Sequence, residues 1–273
     1  MSIQLLDVTC NDALNGQTEH FHDCHQIIYI VDGEISITIS NDTYSASKGS
    51  LILVSRYEQH EITVVSNEYK RYTLEISPDH LENKEDDDLL TTILVNRTEG
   101  FRHVLDLHNQ SAEIELILSN IEKEHKMQKL MHNTMESAML KWLLVLIYRS
   151  APHTFAVENS RGIGVIREIQ NRFEQEYREI FFLNELAEEY HISMSHLSHM
   201  FKRVTGYAPM MYLQACRISA AKHYLANSTM TIKEIVFQCG FSDESNFCRI
   251  FRKETGLTAS EFRKQFQNVP ASD

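Results

Sequence analysis

Histidines crowd one short stretch of the chain: His20 and His22 flank Phe21, His25 and Gln26 follow, and His60 comes further on. Neutral imidazoles joined by a carboxylate hold Zn, Fe or Mn. They also donate to and accept from hydroxyl groups. His20, His22 and His60, with Tyr29 or Arg56, could therefore line a pocket for a polar molecule. The plainer alternative is a set of histidines at the rim of a small β-barrel with no ligand.

A different chemistry is written near the C-terminus. His199-Met200-Phe201-Lys202 lines up with Arg249-Ile250-Phe251-Arg252, Thr205-Gly206 with Thr255-Gly256, Ser193 with Asp243 and Leu197 with Phe247, an offset of 50 residues throughout. Each copy reads as helix, tight turn, helix. In the second, Thr231 and Glu234 form a capping box. Gly240 suits a left-handed turn, and Ser242 or Asp243 caps the next helix. The first copy repeats this through Leu186, Ala187, Ile192 and a cap at Ser193.

Burying Leu197, Met200 and Phe201 turns Ser195, His196, Ser198, His199 and Lys202 outward. Burying Phe247, Ile250 and Phe251 does the same for Glu244, Ser245, Asn246, Arg249 and Lys253. Arginine can fork onto guanine and asparagine onto adenine. Lys202, Arg203, Arg252 and Lys253 suit phosphates, which fix register without reading sequence. A single helix of this kind would be read as a solvated polar face; two copies with one pattern point to DNA. Tyr212 to Ala226 reads as one long connecting helix. Such a connector fixes the separation of the two outward faces, to be matched to major-groove faces that recur at ~34 Å.

The elements that must carry these residues differ along the chain. From Gln26 to Val65 the pattern is strand-like: Ile35, Ile37 and Ile39 alternate with Ser36, Thr38 and Ser40. Asp32-Gly33, Asn41-Asp42 and Lys48-Gly49-Ser50 are turns between short strands, and Leu51 to Val54 is a buried run. This predicts a small antiparallel barrel or sandwich. From Ser111 the period becomes helical. Ile114, Ile117, Leu118 and Ile121 form one stripe; Met131, Met135, Ala138, Met139, Trp142, Leu143 and Leu146 form a second, broader one. The second helix is apolar nearly all round from Leu140 to Ile147, which predicts that part of it packs on a second subunit. Ala151 to Gly164 reads as a linker, after which Ile166, Ile169, Phe173 and Tyr177 open a helical domain.

The run from Ile232 to Arg263, IKEIVFQCGFSDESNFCRIFRKETGLTASEFR, resembles the double helix-turn-helix motif of the AraC family in residue types and spacing. The first copy is similar through Leu186-Ala187, Ile192-Ser193, Met200-Phe201-Lys202, Thr205-Gly206 and Pro209. The likeness spans about residues 163–266. Val236 replaces the usual alanine, Ala259 the usual proline, and Phe182 a frequent Ser or Thr cap. The resemblance implies groove-facing roles for residues 195, 198 and 199 and for 245, 246 and 249. Residues 15–65, with His20-Phe21-His22, His25-Gln26, Gly33, Gly49 and His60, resemble the cupin-like sensor domain common in that family. In metal-binding cupins an H-x-H pair, a glutamate and a later histidine hold the ion. Gln26 stands in the glutamate's place, so no metal and no cofactor are expected. Many sensors of the family respond to sugars, which implies a carbohydrate effector.

The net charge of −12 at first argues against nucleic acid. Residues 1–160 hold 12 Lys+Arg against 25 Asp+Glu, and residues 161–273 hold 14 against 13, so the acidity sits in the N-terminal part. A near-neutral DNA-binding part must concentrate its cations on one face. No run is long and apolar enough to span a bilayer. Cys10, Cys24, Cys216, Cys239 and Cys248 make no metal or disulfide framework, which suggests reduced thiols in a cytoplasmic protein.

Together these readings predict an α+β two-domain chain. An N-terminal antiparallel, cupin-like β-barrel with a helical dimerisation element occupies residues 1–150 and a linker residues 151–162. An all-α domain of two helix-turn-helix units joined by a long helix occupies residues 163–273. The expected function is sequence-specific transcription control, more often activation, by an effector-responsive homodimer that engages double-stranded DNA and RNA polymerase, with no membrane contact and no enzymatic activity. The alternatives are a constitutive regulator whose barrel only dimerises, and a cupin metalloenzyme with a DNA-binding tail.

Overall fold

The computed structural model describes residues 5–12, 17–39, 42–77, 93–94, 101–155 and 161–267. One compact unit is formed by Met1–Glu158 with Val204–Gly206 and a second by Asn159–Arg203 with Tyr207–Asp273.

Among the described residues the first unit has nine strands: β1 Leu5–Asp12, β2 Gln17–His20, β3 His25–Asp32, β4 Glu34–Ile39, β5 Asp42–Ser47, β6 Ser50–Val54, β7 His60–Val64, β8 Lys70–Ile76 and β9 Val104–Asp106. They pair into a five-stranded sheet of order β1-β8-β3-β6-β9 and a four-stranded sheet of order β2-β7-β4-β5. The architecture is therefore an open, cupin-like sandwich rather than a closed barrel. Alternation sets what each face buries. Ile28 and Ile30 of β3 join Ile35, Ile37 and Ile39 of β4, Ile52, Val54 and Ile62 between the sheets. Ile27 and Tyr29 point the other way, into a second core. Each such aliphatic side chain contributes roughly 1.5–3 kcal/mol by leaving water.

Two helices, α1 Ser111–Met127 and α2 His132–Ser150, cover that second face. The stripe Ile114, Ile117, Leu118 and Ile121 of α1 is buried as its period requires. On α2 the buried stripe is Leu140, Leu143, Leu144 and Ile147, preceded by Glu136 and Ser137. Of the broader stripe read from the sequence, Leu143 is buried, Met139 and Leu146 are partly covered, and Met131, Met135, Ala138 and Trp142 are exposed, so the buried face is rotated from that stripe. The rotation has a physical cause. Glu136 is buried because His125 of α1 reaches its carboxylate at 3.2 Å, an ion-pairing position that hydrophobic periodicity cannot register.

The second unit is helical: α3 Arg161–Gln175, α4 Leu183–Glu189, α5 Met194–Thr205, α6 Pro209–Asn227, α7 Ile232–Gln238, α8 Glu244–Thr255 and α9 Ala259–Phe266. The connecting helix α6 starts three residues before Tyr212, with Pro209 in its first turn, where a missing N–H costs nothing. Among the described residues, no helix is long and apolar enough to cross a membrane.

Candidate functional site

The two helix-turn-helix units are built by local signals. In the second, Thr231 caps α7 in a reciprocal box with Glu234, and Asp243 Oδ1 accepts from Asn246 N at 2.7 Å to open α8. In the first, Ser193 Oγ accepts from His196 N at 3.2 Å to open α5. Phe182, at the start of α4, provides no side-chain cap. The caps Ser193 and Asp243, and the helices they open, are 50 residues apart. The first helices and turns are 49 apart: the bond from Ile192 N to Ala187 O is matched by Phe241 N to Val236 O. Ser242 is the extra residue. It leaves the left-handed position to His191 in the first copy (φ 56°) and to Gly240 in the second (φ 79°). A Cβ on Gly240 would meet the carbonyl oxygens of Tyr177 and Arg178 at 2.9 Å, so that position needs glycine twice over.

This frame presents the polar faces. Leu197 and Phe201 of α5, and Phe247, Ile250 and Phe251 of α8, are buried; Met200 is only partly covered. Ser195, His196, His199, Lys202 and Arg203 are exposed, as are Glu244, Ser245, Arg249, Arg252 and Lys253, while Ser198 and Asn246 are half-buried. Arg249 Nη2 donates to Asn246 Oδ1 at 3.0 Å. Lys253 lies 3.9 Å from Glu254, a loose pair. Other arginines of the unit are engaged within it. Arg172 reaches both carboxylate oxygens of Glu189 at 2.8 Å, and Arg217 donates to the carbonyls of Tyr177 and Glu179 at 2.8 Å. The exposed cations on these two helices are Lys202 and Arg203 on α5 and Arg249, Arg252 and Lys253 on α8; Lys233 on α7 and Lys264 on α9 are exposed as well.

In the sandwich, His20, His22 and His60 converge. Their ligand-capable atoms all lie within 4.8 Å of one another, with ring centroids 4.4–5.3 Å apart. Strand pairing explains this: β2 and β7 place His20 opposite His60, and His60 also pairs with Ile39, a core residue of β4. His60 Nδ1 faces the Glu58 carbonyl at 2.9 Å and donates to it, so Nε2 carries the lone pair. That nitrogen is buried without a hydrogen-bond partner. Burial lowers the His60 pKa to about 4; the Glu58 carbonyl opposes this, and His20 and Arg71 add to it.

The other expected members are placed differently. Tyr29 lies on the opposite face of its sheet, in the core under α1 and α2, so it does not join the histidines. The reason is parity, since even-numbered residues of β3 face the sandwich interior. Burial and the neighbouring Glu115 raise its pKa. Arg56 is held by Asp23 at 2.6 Å and lies over the Tyr57 ring. Gln26, in the place of a cupin glutamate, is buried and donates to Glu75 at 3.1 Å.

Sequence reasoning missed Arg71 and Thr73. They alternate along β8 with Tyr72 and Leu74, a pattern that reads as a solvated face. Arg71 instead pairs with Ile30 and Thr73 with Ile28, which puts both on the interior face of the sheet.

Comparison with known proteins gives the same two parts. Residues 12–131 match the family model described as AraC-like ligand binding domain, and residues 186–265 match one described as Helix-turn-helix domain. The HTH-type transcriptional activator RhaS of Salmonella arizonae is 24% identical over 254 residues, 92% of this chain and 89% of that protein. RhaS of Escherichia coli O1:K1 is 22% identical, over 90% and 87% of the two chains. The fold is shared with ToxT of Vibrio cholerae strain SCE256, solved with an unsaturated fatty acid bound. The TM-score is 0.62 at 15% identity, covering 99% of this chain and 98% of that one. The chain belongs to the AraC family: it is a sequence-specific DNA-binding transcription regulator with a ligand-binding domain.

Proposed function

We propose that this regulator is a cytoplasmic, non-enzymatic activator whose DNA affinity or half-site choice is set by a small polar effector held in the sandwich. The observation that carries the DNA reading is the pair of capped helices α5 and α8, 50 residues apart, each with an exposed polar face, in two helix-turn-helix units joined by α6. On this reading Ser195, Ser198, His199, Ser245, Asn246 and Arg249 face base edges. His196, Lys202, Arg203, Glu244, Arg252 and Lys253 flank the groove, the cations among them on phosphates. The regulator acts as a homodimer and engages RNA polymerase at its promoters.

The effector reading is supported by His20, His22 and His60, which bring their ring nitrogens together, His60 buried and His20 and His22 half-buried. Three imidazoles are also a zinc-type donor set. Two observations weigh against a metal: Gln26 is engaged by Glu75 where a carboxylate ligand is wanted, and the Arg71 charge acts on His60. A hydroxylated molecule such as a sugar fits imidazole donors and acceptors better. An effector that prefers one arrangement of the two domains shifts DNA binding by its differential affinity.

The test is selection of bound duplexes from random sequence with the full chain, followed by binding titrations with and without a panel of sugars. Enrichment of one motif, with affinity changed by a sugar and unchanged by it in a His20→Ala/His22→Ala variant, is expected. Failure to enrich any motif would overturn sequence-specific reading by these helices. One metal ion per purified chain, lost in the same double variant, would replace the organic effector by an ion.

A further inference from the structure

Arg71 is buried inside the sandwich, 7% exposed. Its pairing with Ile30 turns it toward the core between the sheets. Its hydrogen-bond partner is the Tyr69 hydroxyl, which accepts from Nη1 at 3.4 Å, a long bond to a neutral group whose ring centre lies 5.6 Å from the guanidinium carbon. Nε is buried with no partner, and among the described residues no carboxylate forms an ion pair with this guanidinium. Glu75, four residues along the same face, is turned to Gln26. A buried unpaired charge is among the costliest groups a fold can hold. Arginine cannot relieve that cost by losing its proton.

Two other polar atoms share the situation. Thr73 Oγ1, next along the interior face of β8, and His60 Nε2, on the facing sheet, are both buried without partners. A cation, a hydroxyl that can donate and a nitrogen lone pair therefore wait on one interior. With Nη1 engaged by Tyr69, the guanidinium edge that includes Nε is the one left for a planar two-oxygen acceptor.

We propose that the ligand-binding domain takes a small hydroxylated organic acid, its carboxylate received by Arg71 and its hydroxyl groups by Thr73 and the histidines. This rests on the reading above that the sandwich interior is the effector site. It narrows the hydroxylated effector of that reading to an acidic member of similar size, such as a sugar acid, and it gives the buried guanidinium its missing counter-charge.

The test pairs each acid with its neutral counterpart: D-galacturonate with D-galactose, D-gluconate with D-glucitol, and L-lactate with 1,2-propanediol. Thermal unfolding of the full chain is followed for the wild type, Arg71→Met and Arg71→Lys. At least one acid should raise the wild-type Tm by several degrees while its neutral partner does not. Arg71→Met should abolish that response and, without ligand, melt at or above the wild type, because an apolar side chain replaces an uncompensated charge. Arg71→Lys should respond weakly, keeping charge without the fork. If neutral and acidic members raise Tm alike, the effector site stands and the acidic ligand falls. If Arg71→Met still responds to the acid, Arg71 is not its receiver. If no compound shifts the wild type and Arg71→Met melts well below it, the guanidinium is a structural group held by Tyr69, and the proposal is overturned.

Discussion

Arg249 donates from Nη2 to the side-chain oxygen of Asn246 at 3.0 Å, across one turn of the second recognition helix. The two residues best suited to base edges on α8 are thus one unit before DNA arrives. The bond spends an Asn246 acceptor and fixes the Arg249 fork, which lowers the ordering cost of binding. Arg249→Ala should weaken binding to the selected operator by ~1–3 kcal/mol and relax preference at one base pair. Asn246→Ala should also disturb the Arg249 contact, so the double variant should lose less than the sum of the singles. Titrations on selected and scrambled duplexes measure this. Equal loss on both by Arg249→Ala would remove it from base reading.

Lys202 is exposed on α5 and is proposed above as a phosphate contact. Lys202→Ala should weaken binding to all sequences alike and reduce the slope of log K against log salt by about one. A loss confined to the operator, at unchanged slope, would make Lys202 a base reader.

His60 makes the first unit sensitive to acid. Its pKa is lowered to about 4 in the fold, chiefly by burial, among His20, His22, Glu58 and Arg71. In the unfolded chain a histidine takes up its proton near pH 6.5. Above that range neither state binds it and the full stability is present. As pH falls from 6.5 to about 4 the unfolded state gains the proton first, and stability drops by on the order of 3 kcal/mol before levelling off. Denaturant melts of the wild type and His60→Gln from pH 7.5 to 4 should show a shallower loss in the variant. Parallel curves would mean that His60 takes up its proton at the same pH in the fold as in the unfolded chain.

The two turns predict opposite responses to glycine chemistry. His191→Gly should stabilise the second unit by a few tenths to about 1 kcal/mol by relieving a left-handed non-glycine residue. Gly240→Ala should destabilise it by at least roughly 1–2 kcal/mol, since backbone oxygens approach as well. Urea midpoints of the separate variants distinguish the two, and a neutral Gly240→Ala would contradict the close approach.

Leu143 is fully buried and so is not open to a second subunit. Leu143→Glu should unfold the first unit. Trp142, 47% exposed, and Leu116, 56% exposed, are the better probes of a homodimer. Trp142→Glu and Leu116→Glu should remain folded and shift sedimentation toward monomers, whereas a wild-type monomer at micromolar concentration would exclude dimerisation through these helices.

What was legible in the sequence was whatever depends on neighbours in the chain. Thr231 and Glu234, Asp243, Gly240 and the 50-residue echo declare caps, turns and recognition helices without tertiary help. Burial choices that depend on a distant partner were not legible. Glu136 goes inside because of His125, which turns α2 away from the stripe its methionines suggest. Arg71 goes inside because the second sheet covers a polar face that, on one strand alone, looks like a surface. Tyr29, one of the two side chains expected beside the histidines, is sent by strand parity to the other core.

The connecting helix α6 runs 19 residues from Pro209 to Asn227 with no glycine and no proline after its first residue. At about 1.5 Å per residue it is a strut of roughly 28 Å with no joint in it. One base pair inserted between the two contacted grooves carries the second about 3.4 Å further and turns it by about 35° around the duplex. The strut can follow neither movement, so the DNA must bend or untwist to restore the fit, at a cost set by the sequence of the untouched steps. The regulator would thus gauge the stiffness of base pairs on which it lays no side chain.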